Sequence, residues 1–199
     1  MILVNIIFNL KRFIIMAENS TKVVTGKVRF CYSNVFEPVA MNEGEQPKYS
    51  ICVLIPKSDT KTLDAINKAV EAAKIAGKAK IADKNGRIPS TIKIPLRDGD
   101  EERGDDPAFE GMMFINANSN RRPAIVDKAL NPIMSQDEFY SGCYGRISLN
   151  FYAFNVQSKG IAAGLQNIQK LEDGEMLAGG STAEEDFGGD NEWPDDDMM

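Results

Sequence analysis

Between Tyr144 and Phe154 every second residue is aromatic, cationic or small and polar: Tyr144, Arg146, Ser148, Asn150, Tyr152 and Phe154. The residues between them, Ile147, Leu149, Phe151 and Ala153, are apolar. A period of two puts these sets on opposite faces of a strand over 143–156, with the apolar set against a core. Aromatic rings beside cations on a solvent-facing sheet form a surface on which unstacked bases can lie. Each stacked base contributes about 1–3 kcal/mol without demanding a sequence. The competing use of the same rings is packing beneath a neighbouring helix or loop. Lys27 and Arg29 on the outer face of a first strand, and Arg121 and Arg122 opening another, are placed to track phosphates. Lys80, Lys84 and Arg87, clustered in a basic segment, have the same capacity, with ordinary solvated charge as the alternative for each.

Other chemistries are poorly served. The chain has no histidine, which removes His-based triads, HExxH metal sites and imidazole proton shuttles. Cys31, Cys52 and Cys143 are odd in number and widely spaced, so they build neither a disulfide framework nor a C-x-x-C zinc site. They read as buried small hydrophobes in a reducing cytoplasm. The acidic run 98–106 fails the calcium-loop template, because its sixth position is Arg103 where glycine is required. Gly77-Lys78 is not a phosphate-binding loop, since position 72 is alanine. A carboxylate-held Mg²⁺ nuclease would have to rely on Asp98, Asp100, Asp105 and Asp106 alone. No catalytic residue, metal or cofactor is expected, and the chain reads as a non-enzyme.

The elements that must position these residues follow from pattern. Residues 21–32 alternate as a strand, with turn chemistry at Ser33-Asn34 and Glu37-Pro38. Residues 48–55 are apolar on both faces, as in a central strand stopped by Pro56. Residues 58–76 form the one clear helix. Ser58 or Asp59 caps it, Leu63, Ile66, Val70 and Ala73 make its stripe, Asp64 and Lys68 pair on its surface, and Gly77 ends it. A basic loop-rich segment, 78–97, and an acidic loop, 98–110, come next. Further strands are expected at 111–118, 121–127 and 143–156, with 158–171 as loop or short helix. Five strands, one inter-strand helix and long loops make an all-β fold with minor α.

Charge divides the chain more sharply than hydropathy. After Lys170 there is no Lys or Arg, while eleven acids fall within 172–199. Removing those eleven from the 29 acids leaves 18 against 23 bases, so residues 1–171 carry +5 although the whole chain carries −6. An acid-rich segment short of apolar residues buries too little to offset its ordering entropy. Residues 172–199 therefore read as a disordered acidic tail, tethered beside a cationic body (16–171) and displaceable by nucleic acid. Its apolar residues among acids, in Asp190, Glu192, Trp193, Asp195, Asp196, Asp197, Met198 and Met199, suit docking on partner proteins. The alternative is a solubilising tail.

Four segments together resemble a family of bacteriophage single-stranded DNA-binding proteins. They are Ser33-Asn34-Val35-Phe36-Glu37-Pro38, Pro56-Lys57 before the helix, Gly142-Cys-Tyr-Gly145, and Gly160-Ile-Ala-Ala-Gly-Leu-Gln-Asn-Ile168. The resemblance spans roughly residues 20–175, with the last two segments the more specific. It implies an OB-fold, a five-stranded Greek-key barrel with a helix between strands. It also implies a role in phage DNA replication, recombination and repair, with the acidic tail competing for the DNA site and meeting a polymerase or helicase. The expected partners are thus single-stranded DNA and replication proteins, with a homodimer left open, no membrane, and the host cytoplasm as location. The competing class is an acidic interaction module that mimics DNA toward a host enzyme. Such a mimic should carry acids over its whole body rather than in a tail and one loop.

Residues 1–15 are very apolar, too short to cross a bilayer, and interrupted by Lys11-Arg12. They have no counterpart in the family pattern. A Lys-Arg pair three codons before Met16 matches the purine-rich spacing of a ribosome-binding site, so Met16 is the expected start and 1–15 an extension outside the folded unit. The intact mass of natively expressed protein should correspond to a chain beginning at or just after Met16.

Overall fold

Alternation along the strand that opened the sequence reading does force one face inward. Ile147, Leu149, Phe151 and Ala153 are buried, while Arg146 and Tyr152 are exposed and Tyr144, Asn150 and Phe154 are half-buried. The computed structural model describes residues 20–40 and 44–177. Eight strands run in chain order as β1 (Lys22–Val24), β2 (Val28–Val39), β3 (Lys48–Pro56), β4 (Leu96–Asp98), β5 (Met112–Ser119), β6 (Ala124–Val126), β7 (Tyr144–Val156) and β8 (Ser158–Glu172). The helices are α1 (Thr60–Ala76), α2 (Lys78–Ile81) and α3 (Gly99–Glu102).

Five of the strands pair in a closed cycle. β2 pairs β3, β3 pairs β5, β7 pairs β8 and β7 pairs β2, all antiparallel, and a parallel β5–β8 contact completes the ring. Closure removes the exposed edges that a five-stranded sheet would otherwise present. The short strands extend this ring: β1 lies along β7, β4 along β5 and β6 along β8. Inside, Phe30, Val35, Ile51, Val53, Ile55, Ile115, Ile147, Leu149, Phe151, Ile161 and Leu165 form one continuous core.

Helix α1 closes one side of that core. Asp59 accepts a hydrogen bond from the Thr62 amide at 3.1 Å, an N-cap contributing about 1 kcal/mol. Ile66, Ala69, Val70 and Ala73 are buried on one stripe, with Leu63 half-buried beside them. The helix ends against β7, where a Cβ on Gly77 would stand 2.1 Å from the Ala153 Cβ. Its surface ion pair is Lys74–Glu71 at 2.6 Å rather than the expected Asp64–Lys68.

Several sequence expectations need correction. The longest strand, β8, occupies residues read as loop or short helix. Its outward positions Gly160, Ala162 and Gly164 carry little β-propensity, while Ile161, Ala163 and Leu165 alternate inward. The first expected strand is two, β1 and β2, separated at Thr25–Lys27. Ser33-Asn34 and Glu37-Pro38 lie inside β2. The irregularity there is a register shift between Cys31 and Asn34, with Tyr32 at φ 47°. The basic and acidic loops contain α2, β4, α3 and a 3₁₀ turn over Pro107–Phe109. All three cysteines are buried, as their type suggested.

Gly145 marks where the ring is tightest. A Cβ there would lie 2.2 Å from the Gln169 carbonyl oxygen and 2.7 Å from the Phe30 ring. Gly145→Ala should lower unfolding free energy by about 1–3 kcal/mol through overpacking, read as a shift of the urea midpoint. Asn67→Ala, on the exposed face of α1, should change it by no more than about 0.5 kcal/mol.

Candidate nucleic-acid interface

Strand register lines up a polar belt around the outside of the barrel. Asn34 pairs Ser50, Ser50 pairs Asn118, Asn118 pairs Gly164 and Gly164 pairs Asn150, crossing β2, β3, β5, β8 and β7 in turn. Each of these residues is at an outward position of its strand, between inward Ile51, Ala117, Ala163 and Leu149 or Phe151. The next level holds Cys52 opposite Asn116 on β3 and β5, and Ala162 opposite Tyr152 on β8 and β7. Small side chains on β8 therefore make a low floor, with amides on one side and aromatic rings on the other.

Two clefts meet on this face at Asn116. One, of about 390 Å³, is lined by Tyr32, Asn34, Ser50, Cys52, Arg103 and Asn116. The β2 irregularity turns the Tyr32 ring outward, leaving it 54% exposed, and its hydroxyl donates to Asp106 Oδ2 at 3.2 Å. Partial burial and the Asp106 carboxylate both push that phenol above its ordinary value, so Tyr32 stays neutral at physiological pH. The second cleft, about 880 Å³, runs between the 91–98 segment and β8, past Asn116 to Phe154. It exists because β5 and β8 pair only at Ala117–Ala163 and Asn118–Gly164 and then diverge, with β4 taking β8's place beside β5. Lys93 secures its outer wall, donating its amide to Lys159 O and accepting from the Ile161 amide at 2.9 Å.

The cations around these clefts are of two kinds. Arg97 is committed: it pairs with Glu102, lies 4.7 Å over the Phe114 ring, and holds Glu102 below the usual carboxylate range. Lys57 likewise gathers Asp98 at 2.6 Å and Asp100 at 2.7 Å, holding both carboxyls low, so that one cation serves two of the six acids in 98–106. Lys93 and Arg103, by contrast, have no carboxylate within 4 Å among the described residues, and Arg103 stacks 5.7 Å over Phe109.

The residues singled out from sequence fall in three places. Phe154 and Tyr152 (43% exposed) border the β8 floor, with Lys80, Lys84 and Arg87 carried beside the β7–β8 hairpin by a Lys159 Nζ bond to Ala82 O. Arg121 and Arg122 lie just past β5 at the other end of the belt, with Arg122 5.6 Å over Phe36. Lys27, Arg29 and Tyr144 form a separate cluster, the two cations 5.0 and 5.4 Å from the Tyr144 ring. Arg146 stands near it, donating to Thr25 O at 3.2 Å.

That cluster is already occupied by the start of the acidic segment. Lys27 pairs Glu172, Lys170 pairs Asp173 at 2.7 Å, Tyr140 donates to Gly174 O at 3.0 Å, and Arg29 donates to Glu175 O at 2.9 Å. Leu177 donates its amide to Ser141 O at 2.8 Å and packs on the outer apolar cluster of Cys31, Leu54, Phe109 and Phe114. The remaining tail residues named from sequence, Asp190 to Met199, lie outside the described residues, as do 1–19. Sequence reasoning missed Tyr32, Asn34, Lys93, Arg103 and Asn116. Asn116 and Asn118 had a usable signal, since they alternate with Ile115 and Ala117.

Known proteins share this architecture. Chain and single-stranded DNA-binding protein from bacteriophage Enc34, solved in complex with ssDNA, are 28% identical with a TM-score of 0.65, over 79% of this chain and 90% of that one. Its C-terminal truncation gives 25% identity and a TM-score of 0.67, over 79% and 88%. The bacteriophage T7 single-stranded DNA-binding protein gp2.5, at 12% identity and a TM-score of 0.58 over 86% and 97%, shares the fold. Protein p50 of Acyrthosiphon pisum secondary endosymbiont phage 1 is 31% identical over 166 residues, covering 81% of this chain and 89% of its own. The family model described as Enterobacter phage Enc34, ssDNA-binding protein, matches residues 21–199, and the chain belongs to that family.

Proposed function

We propose that the chain is a non-enzymatic, sequence-tolerant single-stranded DNA-binding protein of phage DNA replication and recombination. The observation that carries this reading is the outer polar belt with its two clefts meeting at Asn116, bordered by Tyr32 at one end and by Tyr152 and Phe154 at the other. Rings at those borders stack bases, while Asn34, Asn116 and Asn118 offer donors and acceptors that any base can use. Arg121 and Arg122 at one end, and Lys93, Lys80, Lys84 and Arg87 at the other, hold the backbone. The likeness to a relative solved with ssDNA supports the same reading. The acidic segment competes with DNA for these cations and, when displaced, recruits replication proteins such as a polymerase or helicase. The place of action is the host cytoplasm.

Oligo-dT binding, followed by anisotropy, tests the assignment. Tyr32→Ala and Phe154→Ala should each weaken binding by about tenfold, the scale of one lost stacking contact. Arg121→Ala with Arg122→Ala should weaken every sequence alike and reduce the slope of log K against log salt by about 0.7 per lost phosphate contact. Unchanged affinity in all of these would remove the outer face from the DNA path.

Ending the chain after Leu177 should tighten binding and flatten its salt dependence, whereas equal or weaker affinity would rule out tail competition. The cut belongs after Leu177 because Gly174 and Leu177 pack against the body. Glu172→Gln with Asp173→Asn, which removes two anions at Lys27 and Lys170 apart from the belt without removing that packing, should give a smaller gain through long-range charge alone.

A further inference from the structure

Three irregularities of the fold converge on a cleft that the belt does not use. Where β1 extends the sheet beyond β7, and β6 extends it beyond β8, a cleft of about 180 Å³ is lined by Val24, Val126, Leu130, Arg146, Ser148 and Asn167. The first irregularity is a hydroxyl. Ser148 faces outward on β7, between inward Ile147 and Leu149, yet it is only 8% exposed, and its Oγ has no hydrogen-bond partner among the described residues. Burying a polar group unpaired is costly, so the group needs a reason to be there. The second is a bulge. Ser148 pairs Asn167 while Leu149 pairs Leu165, so Gln166 is an extra residue in β8, and both Gln166 and Asn167 are exposed. Bulges re-aim side chains, and this one brings the Asn167 amide to the cleft. The third is Leu130, held at φ 67° where a branched side chain is strained. The Asp127 carboxylate fixes that loop by accepting from the Ala129 and Asn131 amides at 2.8 Å each, which leaves Leu130 68% exposed at the rim.

Size and charge select the occupant. The cleft is smaller than the roughly 300 Å³ of a drug-sized site, and far smaller than the surface a folded partner needs. One flat ring fits it, with Val24, Val126 and Leu130 against its faces and hydroxyl and amide groups at its edge. The rim is cationic. Arg146 gives its Nε–H to Thr25 O at 3.2 Å and, like Lys22 and Lys128, has no carboxylate within 4 Å among the described residues. Of the acids close by, Asp127 is turned into its own loop, and Glu172, which also feels Lys128, is paired with Lys27. An aromatic ring carried on phosphates answers both features. The belt leads to it, because Asn150 lies two residues from Ser148 on the same face of β7, about 7 Å away.

We propose that this cleft is a second nucleotide subsite, taking one base of a single strand whose neighbouring nucleotides lie on the belt. The base edge meets the Ser148 hydroxyl and the Asn167 amide, the apolar side chains cover its faces, and Arg146 and Lys128 hold the flanking phosphates. This deepens the single-stranded DNA reading and rests on it. Amide and hydroxyl groups can each donate or accept, so the subsite admits any base and keeps binding sequence-tolerant. It also makes the footprint longer than the belt alone.

Anisotropy with oligo-dT of graded length, about 4 to 16 nucleotides, tests this on the full chain, with urea unfolding alongside. Native affinity should rise once the oligonucleotide is long enough to reach the cleft. Ser148→Ala and Leu130→Asn should bind the shortest oligonucleotides like the native chain, and the longest about tenfold more weakly. Both should keep or raise the urea midpoint, since one removes an unpaired hydroxyl and the other suits a left-handed backbone. Tyr32→Ala, in the belt, should lose affinity at every length. Native-like affinity of both variants at all lengths overturns the proposal. So does a loss that comes with a lowered urea midpoint, which would make Ser148 and Leu130 structural. Equal loss at all lengths would merge the cleft with the belt and overturn a separate subsite. Dimerisation abolished by Leu130→Asn, read as molar mass against concentration, would assign the rim to a second copy and overturn it too. Failure of the native chain to bind any oligo-dT would sink the DNA-binding reading itself, an outcome distinct from a loss confined to the variants.

Discussion

Closure of the ring by β8 is the constraint on which the rest depends. This strand must pair antiparallel with β7 along nearly its whole length and also turn parallel to β5 at Ala117–Ala163 and Asn118–Gly164. Its inward residues are ordinary core. Its outward ones are held small by close neighbours: a Cβ on Gly160 would meet the Lys93 carbonyl oxygen at 2.6 Å, and one on Gly164 would meet the Tyr152 ring at 3.3 Å. The same smallness that lets Lys93 and the aromatic rings approach the strand also makes the floor of the belt. Packing and the polar belt thus have one cause.

Electrostatics then sorts a mildly basic body into committed and available cations. Lys57 and Arg97 are matched to the acidic run before any ligand arrives, and Lys27 and Lys170 are matched to the root of the acidic segment. These exposed pairs add little stability by themselves. Their effect is to leave net positive potential at the two ends of the belt, near Arg121 and Arg122 and near Lys80, Lys84, Arg87 and Lys93. In the proposed binding mode, a polyanion laid across the face meets cations and aromatic rings toward its ends and amide groups in the middle.

Legibility in the sequence followed the range of the interactions. α1 and β7 were readable because their determinants are local: a cap, a helical stripe, a strict period of two. β8 was not, because glycine and alanine at its outward positions erase the local β signal and only contact with Phe154, Tyr152 and Lys93 explains them. Tyr32 was hidden for a related reason. Its outward aim comes from the register shift in β2, which exists only relative to β3. Lys27 and Arg29 were expected to share an outer surface with Arg121 and Arg122, whereas the structure sets them around the Tyr144 ring and puts Arg122 over Phe36. What sequence could not convey is that residues 172–177 return across 140 or more positions to meet Lys27 and Arg29.

That return changes the physics of the acidic segment. A free polyanion would pay its whole ordering entropy on meeting the body, whereas a segment already fixed through Leu177 starts from a defined exit point beside Tyr32, Cys31 and Phe109. Local concentration at nearby cations then depends on a tether of 22 residues rather than on the bulk. Chain length after Leu177 enters that concentration only slowly, so the proposed competition does not depend on the sequence between Leu177 and Trp193. The anchoring contacts have no such tolerance: loss of Arg29 or Tyr140 would free the root and blur where the acids are delivered. In the proposed competition between tail and DNA, how the tail begins therefore counts as much as how acidic it is.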